Sequence, residues 1–111
     1  MGLFAAGQVV VLPFPYSDLT GQKFRPVLLL ASAGHDDWVI CQITSNPFAD
    51  PFAIELNEDS FSSGHLSHTS YVRPAKLFTA HSSIIALHSG VLKDSVFQTV
   101  REAVIRVFRQ A

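Results

Sequence analysis

Val27-Leu28-Leu29-Leu30-Ala31, then Ala33-Gly34-His35-Asp36-Asp37, then Trp38-Val39-Ile40-Cys41-Gln42-Ile43-Thr44 read as a strand, a turn and a second strand. The first is an apolar run of strand length opened by Arg25-Pro26. Proline is tolerated as a strand's first residue, and it pushes the residue before it into extended geometry. The second run alternates, with Trp38, Ile40, Gln42 and Thr44 on one face and Val39, Cys41 and Ile43 on the other. The connection is too short for a crossover, so the pair is antiparallel.

Upstream, Gln8-Val9-Val10-Val11-Leu12 is a β-branched run closed by Pro13-Phe14-Pro15, which predicts a first strand ended by its prolines. Tyr16 to Phe24 carries Ser, Asp, Thr and Gly and reads as a loop of nine residues, longer than a hairpin needs and so a functional candidate. Downstream, Asn46-Pro47 and Asp50-Pro51 mark another loop. Phe52 to Leu56 predicts a short strand and Asn57 to Gly64 a polar connection. Ser70 to Thr79 predicts a strand whose internal Pro74 demands an edge or a bulge. Ser83 to Leu87 predicts a last short strand ended at Gly90. Apolar residues then fall at Val96, Phe97, Val100, Ala103, Val104, Val107 and Phe108, the spacing of one helix face. Asp94 or Ser95 can cap that helix, and Arg106 and Arg109 suit the negative end of its dipole. Five or six short strands with one C-terminal helix predict a mainly β chain, a small antiparallel barrel of the SH3-like kind.

At 111 residues the chain has room for one domain, 1–111. Leu, Ile, Val and Phe make up 37 of these residues, enough to bury a core. Charged residues are only 15% against about 25% in ordinary domains, which suggests a surface covered by a partner. No apolar run approaches the roughly 20 residues that span a bilayer, and the N-terminus lacks a signal-peptide pattern, so no membrane role and a cytoplasmic location are expected. Cys41, the single cysteine, sits in an apolar alternating segment and reads as a buried, inert thiol. Residues 1–92 hold four bases against seven acids, and residues 93–111 four bases against two acids. The body is no basic nucleic-acid coat. Any site for a polyanion must be local, and the body cations fall in two close pairs, Lys23 with Arg25 and Arg73 with Lys76.

His65 and His68 stand at i, i+3 with no carboxylate or cysteine partner nearby, a weak set for zinc, and no metal or other cofactor is expected. Gly21-Gln22-Lys23 lacks the frame of a phosphate loop, and no G-x-S-x-G elbow is present. Polar residues at strand boundaries remain. Arg25 stands at the mouth of the long loop, Thr44 and Ser45 end a strand, and Arg73 and Lys76 flank the Pro74 irregularity. A guanidinium offers a fixed fork of donors matched to phosphate oxygens, and a threonine hydroxyl both gives and accepts. Together they suit a phosphodiester whose oxygens gain charge in the transition state.

Gly7 to Gly21, Arg25-Pro26-Val27-Leu28-Leu29-Leu30, Gln42-Ile43-Thr44-Ser45, and Ser70 to Thr79, followed by Gly90-Val91-Leu92 and a helix, resemble in order the blocks of the MazF/PemK toxin family. The resemblance covers about Gly7 to Phe108. It implies the toxin of a type II toxin-antitoxin pair, a homodimer that cuts single-stranded RNA at short sequences without a metal. The 2′-hydroxyl attacks the adjacent phosphate, leaving a 2′,3′-cyclic phosphate and a 5′-hydroxyl. It implies Arg25 and Thr44 as catalytic residues. An acidic body needs Lys23, Arg73 and Lys76 to converge with Arg25 on one face for a positive groove, so these are expected on the substrate together with Ser45, His68 and Asp18. His68 is open between proton acceptor and RNA contact. The partner implied is an antitoxin protein, whose acidic and apolar tail would lie across the loop of Tyr16 to Phe24. The competing expectation is a non-catalytic barrel that binds nucleic acid or a protein such as DNA gyrase.

Overall fold

The computed structural model describes residues 3–15, 21–47 and 49–110. In chain order it holds β1 (Gln8–Pro15), β2 (Gln22–Gly34), β3 (Asp37–Thr44), β4 (Ile54–Leu56), a 3₁₀ turn (Glu58–Ser60) and β5 (Phe61–Gly64). Then come β6 (Ser70–His81), a second 3₁₀ turn (Ser82–Ile84), β7 (Leu87–Leu92) and α1 (Asp94–Arg109). The strands form one antiparallel sheet in the order β4-β6-β3-β2-β1-β7-β5, seven strands where the pattern predicts five or six.

At its centre β2 pairs with β3, Leu28 opposite Cys41 and Leu29 opposite Ile40. The link turns through His35 and Asp36, both at positive φ (53° and 65°), the backbone a two-residue hairpin needs. Val9, Leu28, Cys41, Ile43 and Val72 pack on one face with Val100 of α1. Val10, Leu12, Val27, Leu29 and Ile40 form a second cluster on the opposite face, because side chains alternate along a strand. Burial on both faces is why Val9 to Leu12 and Val27 to Leu30 read as unbroken apolar runs. Cys41 is fully buried, and burial pushes its thiol up to about 12.

Register shifts at Val9/Val10, Leu29/Ala31, Ser32/Gly34, Cys41/Gln42 and Phe61/Ser63 bend the sheet. Its edge strands β4 and β5 follow each other in the chain across the Glu58–Ser60 turn, with Leu56 and Phe61 in the same core cluster. The sheet thus curls into a half-barrel closed over by α1. Pro74 lies in the bulge: Gln42 pairs with Arg73 but Cys41 with Leu77, so three residues of β6 oppose none. The odd insertion swaps faces, which is how Val72 and Leu77, five residues apart, both reach the cluster under the helix.

Several boundaries differ from the pattern. Pro13 does not end β1, which runs on to Pro15; β7 pairs with it only over Gln8 to Val11, so the prolines lie where the far side of the strand has no ladder to donate to. β2 begins at Gln22, before Arg25-Pro26, which shortens the expected loop; residues 16–20 lie outside the described residues. β4 starts at Ile54 instead of Phe52. The polar stretch after it contains a capped turn, Asn57 Oδ1 accepting from Asp59 N at 2.9 Å and Ser60 Oγ from Asn57 N at 3.0 Å, and then β5. Ser82–Ile84 is a 3₁₀ turn, and the last strand runs through Gly90. The N-cap of α1 is Lys93, not Asp94 or Ser95, and it makes no side-chain capping bond. Among the described residues no helix is long and apolar enough to cross a membrane.

Candidate active site

Val27 pairs with Gln42 at this end of the β2–β3 ladder, and Arg25 and Thr44 each lie two residues beyond that pair in their own strands. This end of β1, β2 and β3 opens on a cleft of about 370 Å³, lined by Lys23, Arg25, Thr44 and Ser45 from the strands and by His65 and His68 from the segment after β5. Val11, Pro26, Ile43 and Leu66 supply apolar wall, and Phe24 and Leu87, each more than half exposed, stand at it as well. Among the described residues two cations and no carboxylate line this space, so a net acidic body presents a locally positive hollow.

Thr44 is buried at 8% exposure. Its hydroxyl donates to the carbonyl of Asn46 at 3.1 Å and accepts from the Asn46 N–H at 3.2 Å, which ties the turn out of β3 and presents Ser45, itself exposed. The hydroxyl reaches a ligand by rotating off that carbonyl, a hydrogen-bond exchange that costs little when a phosphate oxygen replaces it.

The two body arginines differ. Arg73 donates from Nε to Asp50 Oδ2 at 2.7 Å, while Asp50 Oδ1 accepts from the N–H of Phe52 at 2.8 Å. The bond from Arg73 and that backbone N–H hold the Asp50 carboxyl below the usual carboxylate range. The pair clips the segment after Thr44 back onto β6. Arg25 is half-buried and has no ion-pair or hydrogen-bond partner among the described residues. Among the described residues nothing matches its charge, whereas Asp50 already matches that of Arg73. Arg73 and Lys76 do not line the cleft, and Asp18 lies outside the described residues.

Asp50 is the residue that sequence reasoning missed outright; Asp50-Pro51 signals a turn, and nothing in the chain links it to Arg73, 23 positions on. His65 is legible only as a spacing partner of His68, and the structure gives both a wall of the cleft. Among the described residues no three His, Cys, Asp or Glu side chains group as a metal site.

A model of the PemK-like, MazF-like toxin of type II toxin-antitoxin systems matches residues 5–108. No match is found among curated protein sequences. Solved structures share the fold at low identity. A chain of a MazE-MazF crystal structure from Deinococcus radiodurans superimposes with a TM-score of 0.76 at 19% identity, over 99% of this chain and 100% of that one. An endoribonuclease in complex with its cognate antitoxin from a mycobacterial species gives 0.76 at 16% identity, over 97% of each chain. The Mycobacterium tuberculosis toxin MazF-mt6 gives 0.67 at 17% identity, over 92% of this chain and 98% of that one.

Proposed function

The chain belongs to the PemK-like, MazF-like toxin family of type II toxin-antitoxin systems, and from that premise we propose that it is a metal-independent endoribonuclease. Residues 1–111 form one toxin domain acting on single-stranded RNA as a homodimer and silenced by a cognate antitoxin. Solved relatives include an endoribonuclease held by its antitoxin, and a thinly charged surface suits a chain that is covered for much of its life. The observation that carries the reading is the cleft itself: an arginine, a lysine, a threonine and two histidines around one space, with no partner for the arginine and no carboxylate in the lining among the described residues.

The reaction breaks one P–O bond and makes another. The ribose 2′-oxygen attacks phosphorus, the 5′-oxygen leaves, and the products carry a 2′,3′-cyclic phosphate and a 5′-hydroxyl. Arg25, permanently charged, stabilises the oxygens of the five-coordinate phosphorus and hydrogen-bonds the departing 5′-oxygen, which takes its proton from water to become the 5′-hydroxyl; guanidinium neither accepts nor gives up a proton at neutral pH. Thr44 fixes the phosphate, with Ser45 and Lys23 on neighbouring oxygens. The histidine wall, His68 with His65 beside it, takes the 2′-hydroxyl proton, the task to which imidazole is suited.

Incubation of the purified protein with a long single-stranded RNA in excess EDTA tests this. Fragments should appear, and polynucleotide kinase should label their 5′ ends without prior phosphatase treatment. Intact RNA would leave the chain a binding barrel, and fragments with 5′-phosphates would make it a nuclease of another chemistry; either result rules out this one.

A further inference from the structure

We propose that the hollow on the far side of the histidine wall holds a nucleobase beside the scissile phosphate and selects one whose pairing edge offers N–H donors, guanine above all. The proposal rests on the ribonuclease reading and adds what that reading leaves open, the basis of sequence choice.

This second hollow, about 420 Å³, lies between the Glu58–Ser60 turn and the stretch from His65 to Thr69. His65, Leu66, Ser67 and His68 line it and the catalytic cleft alike. The two spaces are therefore the two sides of one ridge, as a phosphate and its neighbouring base require. Their chemistry is opposite: the catalytic side has Lys23 and Arg25 and no carboxylate, whereas this side has Glu58 and Asp59 and no Lys or Arg among its described lining.

Two carboxylates exclude a phosphate by like-charge repulsion. Leu56, Phe61 and Leu66 add apolar wall, the surroundings a flat heterocycle prefers. An ionised carboxylate only accepts hydrogen bonds, so a base read here must donate. Guanine presents N1–H and its 2-amino group side by side, matching the two oxygens of one carboxylate. Adenine and cytosine present a single amino group, and uracil flanks its one N–H with two carbonyl oxygens that would face the carboxylates. Proteins read single-stranded RNA through such splayed-out pairing edges. Glu58 and Asp59 are exposed and have no ion-pair partner among the described residues, and the Asn57 and Ser60 hydrogen bonds fix the turn that carries them.

The test is a randomised single-stranded RNA pool cut by the parent, by Glu58→Gln, by Asp59→Asn and by the double variant, with every cut site sequenced. Amide replacements keep shape and remove the acceptor charge, so a change in sequence choice is not a change in fold. The parent should favour guanine and reject uracil at one position next to the cut. The double variant should lose that preference by about tenfold or more, while preferences at other positions persist. A profile identical in parent and double variant, or uracil favoured there by the parent, overturns this proposal alone. A parent that cuts nothing overturns it together with the ribonuclease reading.

Discussion

Arg25→Ala should slow RNA cleavage about a hundred- to a thousandfold, the usual loss when one preorganised donor to a developing oxyanion is removed, and should leave the protein folded. The two halves of that expectation come from the same geometry. Arg25 is not in either core cluster and has no partner among the described residues, so truncation leaves the core intact and orphans no described charge. Yet it lines the same cleft as Thr44, and among the described lining no other side chain offers a forked donor. Single-turnover cleavage rates measured beside thermal melts separate the two. A variant that melts like the parent and cuts far more slowly assigns Arg25 to the chemistry; one that cuts as fast as the parent removes it from the mechanism.

Gly64→Ala should cost about 3 kcal/mol, from left-handed backbone strain together with overpacking, and lower the melting temperature by roughly 10 °C. Gly64 has φ +71°, and a Cβ there would meet the carbonyl oxygen of Ser89 at 2.1 Å and the Cα of Gly90 at 2.5 Å. Both obstacles are backbone, so no rotamer change relieves them. That same Ser89 carbonyl accepts the His65 N–H at 3.2 Å, and β5 is held by pairing to β7 across Gly64 and Gly90. The substitution thus pries apart the sheet edge and shifts the histidine wall with it. Gly34→Ala is the control: φ is +88° but a Cβ there meets nothing within 4 Å, so only the backbone term, about 1 kcal/mol, applies. Equal melting temperatures for the two variants would contradict the close approach.

What the chain discloses before folding follows from the reach of each interaction. The β2–β3 hairpin is legible because apolar runs, turn residues and alternation all lie within twenty positions, and α1 because its spacing is self-contained. Pro74 demands an edge or a bulge for a local reason, its missing N–H, and of the two the sheet takes the bulge. β5, with a single apolar residue in Phe-Ser-Ser-Gly, has no signature of its own; it is a strand because β7 supplies the partner and Gly64 and Gly90 let the backbones close. Pro13 reads as closing β1 two residues before its actual end at Pro15 because sequence cannot show that β7 stops pairing at Val11. At the site, the residue types Arg25 and Thr44 are readable as phosphate ligands, while the difference between Arg25, without a partner among the described residues, and a matched Arg73 depends on Asp50, a contact between distant segments.

The most direct measurement is a structure of the protein with a single-stranded RNA made uncleavable by a 2′-deoxyribose at the cut site. The phosphate 3′ to that sugar should sit in the cleft within hydrogen-bond distance of both the Arg25 guanidinium and the Thr44 hydroxyl, the latter turned away from the Asn46 carbonyl. An RNA bound with that phosphate elsewhere, or touching one of the two side chains and out of reach of the other, would contradict the mechanism.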